Sequence, residues 1–385
     1  MSRGAAGDRL LTREFLTVGA ASGLYFLAFG ALNALTPLFV VDELGGTEAT
    51  SGFVMGSLAI SALLSRPHFG RISDRHGARR IVLIGGLLGV LSMVIVVAVP
   101  TLVGVVASRL VLGGGSAAVV TGATTLSLDI APAHRRGQAA SYMLIAFHVG
   151  LGLGPVGGEA LLDRFSFSTV FACIGVCAAA CALVARTLPV RPTAPAAEPT
   201  PLVHRGALLP GVVSLLGVFA FNGFLQFAPL YGREIGLEDV GLVFTVASGT
   251  IIIVRVAFGS LPDRVGPIPA ASGALVVTMI AATTVALWSA PVGMFIGAAL
   301  LAMGLSLQSP SLITLAADGV PDRERGAAMA TFTGFFDIAN ATIGPMVGLI
   351  VIGAGYRAAF LATGVFALVG LLVLQLGLRP RAAQV

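Results

Sequence analysis

The sequence contains no lysine, and only 11% of its 385 residues are charged. The missing lysine excludes a nucleotide-binding loop of the Gly-x4-Gly-Lys type, whose lysine reaches the phosphates. The shortage of charge excludes a soluble protein of this length, which needs far more polar surface. Its five histidines and 18 acids show no zinc-ligand spacing. Cysteine is also scarce: Cys173, Cys177 and Cys181 lie in one apolar run at intervals of four. That interval follows one side of a helix. Three thiols on one helix cannot close around a tetrahedral metal without a partner helix, and buried free thiols behave as small hydrophobes. No cofactor, metal or catalytic constellation is expected.

What fills the chain is apolar. Hydrophobic residues make up 56%, the mean hydropathy is +0.96, and there are 50 glycines without a fixed period. Glycine at this frequency in an apolar chain belongs to membrane helices that pack backbone to backbone. A bilayer core of about 30 Å takes about 20 apolar residues per crossing. Twelve such runs are read near 16–41, 51–69, 80–99, 101–127, 138–161, 167–187, 208–231, 240–261, 268–289, 291–316, 327–353 and 357–378. The first is too long for the core of a cleaved signal and is expected to be retained. The fold class is therefore an all-α membrane protein embedded in the lipid bilayer.

Arginine sets the orientation. With an even number of spans, Arg3, Arg9, Arg13, Arg66, Arg71, Arg75, Arg79, Arg80, Arg135, Arg136, Arg186, Arg191 and Arg205 fall on one side, together with most later arginines. The other side keeps only Arg164, Arg233 and Arg357, and its first loop is purely acidic, with Asp42, Glu43 and Glu48. The positive-inside rule places both termini in the cytoplasm. The pI near 9.7 reflects this bias. It is not a nucleic-acid signature, because the arginines are divided among short loops.

The chain repeats itself. Gly70-Arg-Ile-Ser-Asp74-Arg75-His-Gly77 recurs 189 residues later as Gly259-Ser-Leu-Pro-Asp263-Arg264-Val-Gly266. Arg66 and Arg255, Asp129 and Asp318, and Arg136-Gly137 and Arg325-Gly326 keep the same offset. Gly154-Pro155 returns as Gly344-Pro345 at 190, and Pro37-Leu-Phe as Pro229-Leu-Tyr at 192. So many anchors at one offset mark an internal duplication. Two six-helix halves are expected, over 1–187 and 208–385, joined by a Pro/Ala-rich cytoplasmic linker over 188–207. Parallel repeats of this kind have a pseudo-two-fold axis along the membrane normal and a path between the halves.

These residues resemble the major facilitator superfamily over nearly the whole length. The loop Gly70–Arg80 looks like that family's signature between its second and third helices, with Ala78 where a basic residue is frequent and Arg79 and Arg80 following. Arg109-Leu-Val-Leu-Gly113 resembles the fourth-helix motif. Gly150-Leu-Gly-Leu-Gly154-Pro155-Val-Gly-Gly158 resembles the fifth-helix motif of drug:proton antiporters. The resemblance implies a twelve-helix fold and proton-coupled efflux of a small, partly hydrophobic compound by alternating access, by a monomer in the plasma membrane. The alternatives are uptake or facilitated diffusion of a polar metabolite, and a non-transporting receptor on the same fold.

Each motif also has a physical reading. Gly150, Gly154, Gly157 and Gly158 permit close helix packing, and Pro155 bends the helix; the packing is either part of gating or ordinary membrane packing. Asp74, Asp129, Asp263 and Asp318, with the loop arginines, form either a lock that distinguishes two states or a topology signal alone.

Polar groups within apolar spans default to function. Arg109 lies in the fourth span, His148 in the fifth and Asp337 in the eleventh. His148 and Asp337 are repeat mates, each eleven residues past its Arg-Gly pair, hence about 16 Å into the core. Asp337 is the only acid near a membrane centre and is the candidate proton carrier, with Arg109 and His148 as modulators. Asn33, Asn222, Gln226, Gln308 and Asn340 either line a substrate cavity or bond a neighbouring helix.

Overall fold

A computed structural model describes residues 10–132, 135–190, 204–259, 261–318, 320 and 324–378; the side chains at 74, 137, 263, 325–327, 330 and 378 also fall outside the described set. The described residues are helical throughout their long apolar runs: α1 (Arg13–Asp42), α2 (Glu48–His76), α3 (Ala78–Ala98), α4 (Leu102–Ile130), α5 (Arg136–Leu162), α6 (Phe167–Ala185), α7 (Leu208–Glu234), α8 (Gly241–Phe258), the short α9 (Leu261–Val265), α10 (Pro267–Leu287), α11 (Pro291–Ala317) and α12 (Arg325–Leu378). In hydrocarbon every backbone polar group needs an internal partner, and the helix supplies one.

Among the described residues, eleven helices are long and apolar enough to cross a membrane. The last of them, α12, has 54 residues and breaks at Gly355, where φ is 78° and ψ 173°. It therefore carries two of the twelve expected spans, joined at a single glycine in a conformation that L side chains avoid. Tyr356 fixes the elbow: its ring lies 5.4 Å from Tyr231 and 6.3 Å from Phe360. Tyr231 in turn donates its hydroxyl to the Val285 carbonyl at 3.0 Å.

The helices form two compact units, Met1–Leu35 with Ser57–Ala196, and Thr36–Gly56 with Ala197–Val385. The inner segment of α1 and α2, around the acidic first loop, thus packs with the second unit. In the first unit α3 lies against α4 and α6; in the second, α7 lies against α12 and α10 against α11 and α12.

The duplication is visible in the packing. A Cβ added at Gly115 of α4 would sit 3.0 Å from the Gly85 carbonyl of α3; one added at its mate Gly304 of α11 would sit 3.2 Å from the carbonyl of Ala274, the mate of Gly85. Gly77 and Gly266 precede α3 and α10 with φ of 87° and 90°. The signature glycine is required at both places because the chain turns there through a left-handed conformation. The copies differ just before this turn. α2 runs on to His76, whereas its counterpart stops at Phe258 and resumes as α9, with Pro262 in its first turn. Proline has no N–H to give to the preceding turn and is accommodated without loss at a helix start.

Candidate functional site

In the first unit α1 and α5 meet backbone to backbone. A Cβ on Gly150 would lie 2.7 Å from both the Gly23 carbonyl oxygen and the Leu27 nitrogen; one on Gly154 would strike the Leu27 carbonyl and lie 2.7 Å from the Ala31 nitrogen. Gly158 continues the seam at 3.2 Å from the Ala31 and Leu35 side chains, while Gly157 points into open space. Pro155 sits inside α5 without ending it. The fifth-helix motif is therefore a contact face made of Gly150, Gly154 and Gly158.

Arg109 lies in α4 with 1% of its surface exposed. His148, half-buried in α5, donates Nδ1–H to the Leu144 carbonyl at 2.8 Å, which leaves Nε2 as its acceptor when neutral. Asn33 of α1 has a buried Oδ1 with no hydrogen-bond partner among the described residues.

The second unit gathers most of the remaining candidates. Asn222 of α7 donates Nδ2–H to Oδ1 of Asn340 in α12 at 2.7 Å, and Asn340 donates Nδ2–H to the Phe336 carbonyl at 2.9 Å. One turn further along both helices, Oε1 of Gln226 lies 2.5 Å from where a Gly344 Cβ would be. α7 and α12 thus run in parallel register, 222 beside 340 and 226 beside 344. Asp337 precedes Asn340 by one turn and is 4% exposed.

Gln308 is placed elsewhere. It fills the space left by Gly217, with Nε2 3.5 and 3.4 Å from the Val213 and Ser214 carbonyls. It belongs to the α7–α11 packing, apart from the ladder of Asn222, Asn340 and Gln226.

Gly344-Pro345 keeps a contact with α7, the counterpart of α1, through Gln226, and adds a second one to α2. Gly344 meets Gly52 of α2, with Gly348 against Ala49 and Gly56 against the Ala341 carbonyl at 2.6 Å. The Thr36–Gly56 segment is thereby held to α12. Its end is tied to α7 by an ion pair, Asp42 Oδ2 to Arg233 Nη1 at 2.5 Å. Sequence reading missed this pair, although its signal was present: Arg233 is an isolated cation on the side whose first loop is acidic.

In the signature loops, the Asp74 and Asp263 side chains lie outside the described residues. Arg75, Arg80, Arg264, Asp129 and Asp318 are exposed, and Gly70 faces open space. Gly259 packs against the Arg255 carbonyl. Arg79 holds a helix end: its guanidinium donates to the Arg186 carbonyl at the close of α6, where a cation complements the helix dipole. The second unit makes the same clasp with other chemistry: Gln375, the mate of Arg186, donates to Ser272 Oγ of α10 at 2.7 Å. His204 closes the far end of the linker, its Nε2 3.4 Å from Glu324 and its backbone nitrogen donating to Thr331 Oγ1 at 2.9 Å.

The three cysteines run from exposed Cys173 through Cys177 to buried Cys181. Steps of four drift about 40° each around a helix, so the thiols do not share one environment.

Comparison with known proteins agrees with this architecture. The family model of the Major Facilitator Superfamily matches residues 18–291 and 235–384. The chain is 29% identical to the uncharacterized MFS-type transporter STM4428 of Salmonella typhimurium over 377 residues, covering 94% of this chain and 96% of that protein. It is 29% identical to the uncharacterized MFS-type transporter YhhS of Escherichia coli over 370 residues, covering 92% and 90%. A POT family transporter solved in complex with 5-aminolevulinic acid superposes with a TM-score of 0.81 at 13% identity, covering 96% of each chain, a likeness of fold alone. The chain belongs to the Major Facilitator Superfamily and is a multi-pass membrane transporter of that family.

Proposed function

We propose that the protein is a proton-coupled exporter of a small, partly hydrophobic compound, working by alternating access, with Asp337 as its proton-binding carboxylate. The observation that carries this reading is Asp337 itself: a carboxyl 4% exposed in an apolar span, one turn from the Asn222–Asn340 pair. A carboxyl there binds or releases a proton according to how much water reaches it. A solute held at the neighbouring amides changes that access, which links the two binding events. Export is favoured by the Gly150–Gly158 run on α5, through its resemblance to the motif of drug:proton antiporters. Asp74 and Asp263, with the loop arginines, are assigned to a lock that opens and closes with the cycle.

The test is accumulation. Cells making the protein are expected to retain less of a susceptible compound than cells without it, and a protonophore is expected to remove the difference. Greater accumulation under the same gradient would establish uptake instead.

The orientation has its own test. Reporter fusions at Val385 and within 192–203 are expected to be active only as cytoplasmic reporters. An external signal at either place overturns the assignment of the termini.

A further inference from the structure

We propose that the solute class of this transporter is amines, and that the face formed by α7 and α12 receives the ammonium group. This rests on the transport reading above and concerns the same ladder of side chains.

The Phe336 carbonyl can only accept, so the Asn340 group 2.9 Å from it must be Nδ2. That fixes Oδ1 of Asn340 as the atom facing Asn222, 2.7 Å away, and Asn222 must therefore present Nδ2 to it. The amide orientations follow from the bonds, and the free oxygen of the pair is Oδ1 of Asn222. One turn along α7, Gln226 adds a second amide oxygen, buried and with no hydrogen-bond partner among the described residues. A buried acceptor of this kind is costly until water or a ligand supplies the donor.

Charge points the same way. From Leu208 to Gly232, through Pro267–Leu287 and Pro291–Ala317, and from Thr331 to Tyr356, Asp337 is the only charged residue. The other two spans carry their charges at one end, Arg255 in the last turn of α8 and Arg357 at the start of the second arm of α12. Away from the ends of this unit's spans Asp337 is therefore the one charge, of negative sign, three residues before Asn340 on the same side of α12. In an apolar medium such a charge acts at longer range than in water. An anionic solute would meet repulsion there, and a neutral one would gain nothing from it. An ammonium carries up to three donors and a positive charge, so it satisfies the oxygens and the field together.

Phe219, Phe224 and Phe227 of α7 pack against Phe366, Phe360 and Tyr356 of α12, so the ladder selects the ammonium end and the body of the solute is the partly hydrophobic one proposed above.

The experiment is equilibrium binding to the purified full-length protein in detergent, without any gradient. The probe is dansylcadaverine, an aromatic fluorophore bearing a primary ammonium. The controls are its N-acetyl derivative and the matched carboxylate, dansyl-aminohexanoate. A charge-assisted hydrogen bond makes about tenfold tighter binding of the ammonium probe the minimum expected. Gln226→Met keeps the volume and removes this second acceptor without breaking the Asn222–Asn340 bond; it is expected to weaken the ammonium probe by about tenfold and leave the acetylated one unchanged. Thermal unfolding of the variant establishes that it is folded, and the wild-type order of the three probes stands as evidence without it.

Equal or tighter binding of either control overturns the proposal, as does the absence of saturable binding of dansylcadaverine to protein that unfolds cooperatively. Failure of the exporter reading looks different: the probe order holds, and the protonophore leaves cellular accumulation unchanged.

Discussion

Asp337→Asn is expected to abolish gradient-driven export while leaving the amount of protein in the membrane unchanged. Asparagine keeps the size of the side chain and most of its hydrogen bonding but cannot titrate. A charge moved across the membrane potential carries about 2.3 kcal/mol per 100 mV. At about 1.4 kcal/mol per factor of ten, removing one coupled proton lowers the attainable concentration ratio by roughly 50-fold per 100 mV. Exchange of solute without a gradient is expected to survive with weaker binding of an ammonium probe, because the Asn222–Asn340 pair and the Gln226 oxygen remain while the negative charge beside them is lost. Measured in proteoliposomes, this pattern separates coupling from a structural hydrogen bond to a neighbouring helix. Full gradient-driven transport by the variant at every pH tested would remove Asp337 from the coupling mechanism.

A second large effect is expected at Gly154, with its near neighbour as a control. Gly154→Val places a branched side chain against the Leu27 carbonyl and the Ala31 nitrogen, where even a Cβ would be 2.7 Å from the latter. Backbone cannot give way as a flexible side chain does, so α1 and α5 must separate along the Gly150–Gly158 seam. Overpacking of this kind costs about 1–3 kcal/mol or more, and a loss at or beyond the top of that range is expected in detergent unfolding. Gly157→Ala meets nothing within 4 Å, so its stability is expected to stay within about 0.5 kcal/mol of the parent. A Gly154 variant as stable as the Gly157 variant would show that the seam tolerates separation.

These two glycines also mark where sequence reading stops. Composition, the apolar runs and the offset of 189 made the helix count, the duplication and the family resemblance legible, because each is a periodic property of the chain. The paired left-handed glycines at Gly77 and Gly266 follow from the same offset. The partners of individual groups were not legible. Gly154 and Gly157 look alike in sequence, and only the path of α1 distinguishes them.

Asn222 and Asn340 are 118 positions apart, and no local pattern announces their bond. Gln308 reads as one more polar group in a span, yet the gap at Gly217 commits it to helix packing. Arg79 reads as one of a run of loop charges, and its bond to the Arg186 carbonyl depends on where α6 ends. Repeat symmetry was a good guide to backbone and a poor one to contacts. Gly154-Pro155 meets the α1 backbone directly, while Gly344 meets α7 through the Gln226 side chain and takes Gly52 of α2 as its backbone contact.

The break at Gly355 bears on how the chain is made. Thr331–Gly377 is a stretch of 47 apolar-rich residues, and its only charges are Asp337 and Arg357. The machinery that inserts nascent chains meets no polar loop between the two arms. It must distinguish a pair of crossings from one overlong segment by Gly355 and the arginine two residues beyond it. The arms are expected to enter the bilayer together as a hairpin, with Arg357 marking the start of the second. Insertion of the arm that carries Asp337 is in this way expected to be bound to that of its neighbour, before any contact with α7 exists to hold it.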